Sequence, residues 1–215
     1  MKYKHIIWDW NGTLLNDSYL CVQILNESLR KRNIPEITVE KYREKFLFPI
    51  KTFYESIGFD FDKEPFENSN TEFNTGFVDQ FKTLGLQPFA KETIIKFFKN
   101  NITQTILSAS RQDRLTEQVN FFGLDQYLQH VVGTNNSHAH GKEFEGETLL
   151  MGLDIPKEET LIIGDTLLDF KVAQYLQIDC ALVSNGHNDM DRLKNVGAFT
   201  FINIQEFYKW IKKSR

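Results

Sequence analysis

Residues 5–14 read His5-Ile6-Ile7-Trp8-Asp9-Trp10-Asn11-Gly12-Thr13-Leu14, and this stretch decides the fold. Ile6-Ile7-Trp8 is a short apolar run, cut off at once by Asp9 and then by the turn signal Asn11-Gly12. It reads as a buried strand that ends in a tight loop.

Beyond Pro88 the chain supplies partners for that strand. Apolar runs at 103–107, 130–132, 160–163, 181–183 and 200–202 read as further strands. Helical spacing marks 91–99, the Leu115, Val119 and Phe122 face closed by Gly123, then 143–151 and 166–176. Strands alternating with helices predict a parallel sheet covered on both faces. Between the first strand and this alternation, residues 17–86 read as helical throughout. Val22, Leu25 and Leu29 keep helical spacing, and Thr38 is placed to cap a helix with Tyr42 and Phe46 on one face. Pro49 suits the first position of another helix, carrying Phe53 and Ile57. Phe73, Phe77 and Phe81 make an aromatic stripe, the pattern of a core-facing helix. The expected architecture is therefore α/β: a Rossmann-like parallel-sheet core from residues 1–16 and 87–215, with 17–86 inserted as a helical subdomain.

Composition narrows the function classes. With 41% hydrophobic and 25% charged residues in 215, the chain has enough apolar material for a core and is not a disordered segment. No run approaches the ~18 apolar residues of a membrane span. The first residues lack a secretory apolar stretch, and Cys21 and Cys180 are too few for a disulfide scaffold. A formal charge of −4 gives no basic footprint for nucleic acid. A cytoplasmic protein without membrane or nucleic-acid partners is expected.

In an open parallel α/β sheet, ligands bind beyond the carboxyl ends of the strands. Asp9 follows Trp8, Ser108 follows Leu107, and Asp165 follows Ile163-Gly164, so these side chains are expected at one rim. Lys142, in a later loop, can reach the same place. Asp165 and Asp169 are four apart at the opening of a helix and share a face. Carboxylates there complement the helix dipole. With Asp9 they also offer hard oxygen ligands to Mg²⁺, which usually keeps waters and adds a substrate phosphate.

Together these segments resemble the haloacid dehalogenase superfamily of phosphohydrolases. Residues 6–14 look like its first motif, an apolar strand followed by Asp-x-Asp-Gly-Thr, and Ile106-Leu107-Ser108 is similar to the second, a strand ending in Ser or Thr. Lys142 is the best match to the third-motif lysine, with Lys91 and Lys157 as other candidates. Gly164-Asp165-Thr166-Leu167-Leu168-Asp169 looks like the fourth, Gly-Asp-x-x-x-Asp. All four stand in family order, and 17–86 falls where members with a helical cap carry it. The resemblance implies that Asp9 attacks phosphorus and forms an aspartyl-phosphate. It implies Mg²⁺ held by Asp9, the backbone carbonyl of Asn11 and Asp165, with Asp169 as ligand or support. Ser108 and Lys142 would hold the phosphoryl oxygens. Gly12 suits a loop that approaches phosphate closely; Thr13 is placed to satisfy that loop or position the nucleophile, and Arg111 to touch an anionic substrate. The implied substrate is a small phosphorylated metabolite, and the nearest named kind is a phosphoglycolate phosphatase.

Asn11 departs from the pattern. Family phosphatases usually carry Asp there, as acid for the leaving oxygen and base for water. Asn keeps the backbone carbonyl, but its amide transfers no proton at ordinary pH. Rates are therefore expected to rise as the leaving group becomes a more stable anion, favouring aryl and acyl phosphates, unless His138 or His140 replaces the acid. Two rival readings stand beside the phosphohydrolase: a weakened relative that senses a phosphorylated ligand, and a phosphonatase-like enzyme using Lys41, Lys45 or Lys51 for a Schiff base. The dehalogenase branch is disfavoured, because its chemistry needs no metal while the acidic fourth motif is intact. Nothing in the sequence fixes an oligomeric state.

Overall fold

The computed structural model describes residues 1–135 and 142–214. The first strand, β1 (His5–Trp8), is buried along its whole length. It leads into four helices, α1 (Ser18–Lys31), α2 (Val39–Lys45), α3 (Ile50–Ser56) and α4 (Phe66–Gln80). Thr38 caps α2 as its position predicts, its hydroxyl oxygen accepting from the Lys41 N–H at 3.2 Å. Pro49 stands one place earlier than expected: it has extended backbone and caps α3, which begins at Ile50. These helices share a core of Cys21, Leu25, Tyr42, Phe46, Phe53 and Tyr54 with their neighbours. Gly76 lets α4 lie close on α1, since a Cβ there would stand 3.1 Å from Ile24. The Arg32 guanidinium, at the end of α1, binds both Glu64 and Glu72 and so ties α1 to the start and middle of the α4 segment.

The aromatic stripe is split. Phe81 is buried in a 3-10 turn beyond the end of α4, whereas Phe73 and Phe77 are only half-buried. The helix stops before a third residue of the stripe can join the same face.

The remaining elements alternate: α5 (Ala90–Lys99), β2 (Thr103–Arg111), α6 (Gln112–Phe121), β3 (His130–Thr134), α7 (Glu143–Gly152), β4 (Thr160–Gly164), α8 (Leu167–Leu176), β5 (Asp179–Val183), α9 (Met190–Leu193), β6 (Phe199–Phe201) and α10 (Ile204–Ile211). The strands form one parallel sheet in the order β3-β2-β1-β4-β5-β6. Successive strand residues point to opposite faces. Ile6, Trp8, Leu161, Ile163, Ala181 and Val183 accordingly meet α5, α6 and α10. Ile7, Leu107, Ile162 and Leu182 meet α7, α8 and Leu193 of α9 on the other face. This is the α/β sheet that the alternation predicts, covered on both sides.

Two elements were illegible in the sequence reading, α9 and α10. The second has a clear cap: Asn203 accepts from the Glu206 N–H at 3.1 Å, while the Glu206 carboxylate accepts from the Ile202 N–H at 3.0 Å. Strand β2 runs to Arg111 rather than ending at residue 107, because its register with β3 shifts between Leu107 and Arg111. Ser108 thus lies in an irregular stretch of strand, not just past its end. Among the described residues no helix is long and apolar enough to cross a membrane.

Candidate active site

Strand β1 pairs with both β2 and β4, so the chain order reverses beside it, the place where such sheets bind ligands. Asp9 leaves β1 with its N–H still bonded to the Ile163 carbonyl at 2.8 Å, which fixes it against β4. A tight turn follows, in which the Leu14 and Leu15 N–H groups both donate to the Trp10 carbonyl. Gly12 in that turn has φ +74, and a Cβ there would lie 2.2 Å from Asp165 Oδ2. Only glycine tolerates both the left-handed backbone and the approach.

Asp165, just after β4, is fully buried. Its Oδ1 accepts from the Thr13 hydroxyl at 2.8 Å and its Oδ2 from the His187 backbone N–H at 2.6 Å. Asp169, in the first turn of α8, accepts through Oδ2 from the Thr166 N–H at 3.0 Å and the Thr166 hydroxyl at 2.8 Å. Its Oδ1 stands 2.7 Å from Lys142 Nζ. That ammonium, 1% exposed, also binds Asp9 Oδ1 and donates to the Leu107 carbonyl at 2.9 Å. Lys91 and Lys157 do not compete for this role: Lys91 donates to the Phe122 carbonyl, Lys157 sits in a 3-10 turn ahead of β4, and neither lines the site.

Asp9, Asp165 and Asp169 place carboxylate oxygens within 4.8 Å of one another, a group that could hold a metal ion. Burial pushes the Asp9 carboxyl well above its usual range; Lys142 opposes this, while Asp169 and Asp165 add to it. Asp165 is pushed up to about 6, again chiefly by burial, with His187 pulling the other way. Burial disfavours the Lys142 charge, but Asp169 and Asp9 outweigh it and hold the ammonium above its ordinary value. Three acids around one lysine leave an excess of negative charge that a cation would relieve.

A second buried network lies behind Asn11. Its amide donates to Asp17 Oδ2 at 2.7 Å, and its own carbonyl oxygen accepts from the Ser110 hydroxyl at 2.7 Å. Asp17 Oδ1 accepts from the Gly12 N–H at 2.8 Å and lies 3.3 Å from His187 Nε2. His187 Nδ1 is 2.8 Å from the Tyr42 hydroxyl. Burial alone would lower the His187 pKa, but Asp17 outweighs it and raises the imidazole to about 9. Sequence reasoning missed Asp17, Tyr42 and His187. Asp17 passes for a helix start, and His187 stands in the loop beyond β5 rather than just past Val183, where the strand ends.

The loop after β5 also closes the inserted helices onto the sheet. Arg43 donates to the Gly186 carbonyl at 2.8 Å, and Asn188 to the Phe46 carbonyl at 2.9 Å. Beneath this closure is a cavity of about 190 Å³. Asp9, Asn11, Ser108, Lys142 and Asp169 line it from the sheet rim; Leu25, Phe46, Phe48, Phe73 and Phe77 line it from the helices. Ser108, buried, accepts from the Ser110 N–H at 3.1 Å. Gly12 and Thr13, expected at the substrate, lie outside the cavity lining, with the Gly12 N–H given to Asp17 and the Thr13 hydroxyl to Asp165. Arg111 lines the rim but is exposed and paired with Asp113 at 2.6 Å. Of the helical lysines, Lys41 pairs with Glu44, Lys45 donates to the Ser56 carbonyl, and Lys51 lies over Phe61; none lines the cavity. His138 and His140 lie outside the described residues.

Residues 6–183 match the family model for haloacid dehalogenase-like hydrolases. The chain belongs to this family. A relative named "Putative pyrophosphatase PpaX", from Caldanaerobacter subterraneus subsp. tengcongensis, is 21% identical over 180 residues, 81% of this chain and 78% of its own. Among solved structures, a haloacid dehalogenase-like family hydrolase from Streptococcus pneumoniae superposes with TM-score 0.83 at 14% identity, covering 98% of this chain and 99% of its own. A predicted phosphatase from Clostridium acetobutylicum gives TM-score 0.82 at 19% identity over 100% of both chains. A predicted phosphoglycolate phosphatase from Haemophilus somnus gives 0.76 at 14%, covering 98% and 99%. At these identities the solved structures establish the fold of this haloacid dehalogenase-like hydrolase; its chemistry is argued from its own residues.

Proposed function

We propose that this chain is a Mg²⁺-dependent phosphohydrolase that acts on a small phosphorylated metabolite through an aspartyl-phosphate on Asp9. The observation that carries this reading is the Lys142 ammonium, buried between Asp9 and Asp169 at one end of the cavity. It leaves Asp9 Oδ2 without a protein donor among the described residues, on the side chain that faces the cavity. That oxygen is the nucleophile. Lys142 and Ser108 hold the phosphoryl oxygens as charge develops on them.

The donor set suits Mg²⁺: all oxygen, carboxylate-rich and short of positive charge. Asp9, Asp165 and the backbone carbonyl of Asn11 would hold the ion. Asp169, whose oxygens meet Lys142 and Thr166, would ligate or support the ion and also positions the lysine and the loop. When bound, the ion would supply positive charge to the transferring phosphoryl group. The helices of residues 17–86 act as the cap, and the protein works in the cytoplasm without membrane or nucleic-acid partners. The names of two relatives, a pyrophosphatase and a phosphoglycolate phosphatase, support phosphoryl hydrolysis, of an anhydride in one and an ester in the other.

One observation favours the sensor as a second reading: Asn11, bound at both ends of its amide, gives no proton to a leaving group. A panel of phosphorylated metabolites, assayed with Mg²⁺ or with chelator and with an Asp9→Asn control, separates the two. Turnover that needs both Mg²⁺ and Asp9 supports the phosphohydrolase. Tight binding of a phosphorylated ligand without turnover supports the sensor.

A further inference from the structure

We infer that the ester this site is built for is a monoaryl phosphate: its phosphoryl group lies against Asp9, Lys142 and Ser108, and its ring lies among the aromatic side chains of the inserted helices. The inference rests on the phosphohydrolase reading for the phosphoryl end and specifies the other end.

The cavity walls are the first ground. Phe73 and Phe77, one turn apart on α4, hold their ring planes within 25° at a centroid separation of 6.1 Å. Phe48 meets Phe46 edge-to-face at 5.3 Å. Phe48, Phe73 and Phe77 are half-buried and line the cavity, so each ring keeps surface for an occupant. Aromatic pairs prefer such offset and edge-to-face geometries, which a further ring extends. An apolar cavity of about 150 Å³ already binds benzene; the 190 Å³ here, which includes the end at Asp9 and Lys142, suits one ring together with its phosphoryl group.

The polar complement of the walls is the second ground. On α4 it is Asn70 and Asn74. Asn74 donates to the Asn70 carbonyl at 2.7 Å and accepts from Arg114. Arg111 is held by Asp113. A second phosphate or a carboxylate on the substrate would set its charge against phenylalanine rings; of the lining cations beyond Lys142, His187 is held by Asp17 and Arg111 by Asp113, which leaves Arg114 as the one not held by a carboxylate among the described residues. Transfer of an ion out of water to such walls is costly.

Asn11 is the third ground and is independent of the walls. With its amide fixed to Asp17 and Ser110, it cannot protonate the departing oxygen. A phenol ionises near pKa ~10, against ~15.7 for water, which an alkoxide resembles. In the proposed step the bond from Asp9 Oδ2 to phosphorus forms and the bond from phosphorus to the aryl oxygen breaks. The electron pair leaves on the phenolate, which takes a proton from solvent. Water then attacks phosphorus, regenerating the Asp9 carboxylate and releasing phosphate and a proton. Acetyl phosphate meets the leaving-group demand but not the walls; phosphoglycolate meets neither.

Recognition and chemistry are tested separately. With Mg²⁺ present, calorimetry on the wild-type protein compares phenylphosphonate with methylphosphonate, neither of which can be hydrolysed. Phenylphosphonate is expected to bind at least ~10-fold tighter, a difference of ~1.4 kcal/mol. Phe73→Ala should cut that ratio several-fold; if it fails to fold, as read by its melting curve, Phe73→Leu replaces it. Equal binding of the two phosphonates, or a ratio that the Phe73 variant leaves intact, overturns the inference, and the phosphohydrolase reading stands if any ester is hydrolysed. Tight phenylphosphonate binding with no ester hydrolysed supports the ring site and sinks the phosphohydrolase reading. In turnover, kcat/KM for phenyl phosphate should exceed that for acetyl phosphate and for 2-phosphoglycolate; the reverse order overturns the inference.

Discussion

Asn11 donates to Asp17 and accepts from Ser110, so its side chain is a strut rather than an acid. In Asn11→Asp a carboxylate replaces the amide 2.7 Å from Asp17 Oδ2. Two carboxylates so close cannot both ionise, and one retains a proton near neutrality. A positioned acid contributes about 10²–10⁴-fold, so this variant should hydrolyse alkyl phosphates at least ~10-fold faster and gain little on aryl phosphates. A series of esters of graded leaving-group pKa checks this; an unchanged slope would refute it. Asp165→Asn keeps a carbonyl oxygen for one of its two donors, Thr13 and His187, but loses the charge. The Mg²⁺ concentration for half-maximal activity should rise at least about tenfold, read from a titration, and an unshifted midpoint would count against Asp165 as a ligand. Asp9, Ser108, Lys142, Asp165 and Asp169 were legible because each stands just past an apolar run or matches a spaced motif. Asp17 and His187 were not, because they meet only when the turn at Gly12 and the loop after β5 fold against each other.

Among the elements, α1 and α4 were legible from their spacing, but the ion network joining them was not. Arg32 and its partners lie 32 to 40 positions apart, a distance over which charge pattern carries no signal. The Arg32 side chain is 15% exposed, and Glu64 and Glu72 are 28% and 30% exposed. Burial would raise the Glu72 carboxyl, but hydrogen bonds from Arg32 and Ser28 hold it below its usual range. Arg32→Ala leaves both acids half-buried without that partner and should cost about 1–2 kcal/mol at pH 7. Because the Glu72 pKa is depressed in the fold, this difference should shrink as pH falls below the ordinary glutamate value. Urea midpoints at pH 7 and pH 4 check both statements. The split of the aromatic stripe was equally hidden: spacing puts Phe73, Phe77 and Phe81 on one face, and only the end of α4 separates them.

For the molecule as a whole, the sheet was legible because alternation of strands and helices is a local signal, repeated along half the chain. Strand order depends on which strands meet, and no local signal sets it. His5 shows one consequence. It starts the central strand, fully buried, with Nδ1 2.7 Å from the Thr103 hydroxyl and Nε2 without a partner. Burial, with His130 nearby, lowers it from 6.5 to about 4. The unfolded chain takes up this proton near pH 6.5 and the folded chain only near 4. The contribution is therefore complete above pH 6.5 and is lost as pH falls through that window, by up to about 3 kcal/mol. His5→Gln should lose less stability than wild type between pH 7 and pH 4.5; parallel urea midpoints would contradict this. At the opposite rim, the proposed chemistry turns on Asp9 as nucleophile. With Mg²⁺ and para-nitrophenyl phosphate, rapid quenching followed by mass spectrometry tests it most directly. Because Asn11 cannot act as base toward the second water, a burst of about one equivalent of nitrophenolate is predicted, with one phosphoryl group on the peptide containing Asp9. Release without a burst, no phosphoryl group on that peptide at any time, and undiminished turnover by Asp9→Asn would contradict it.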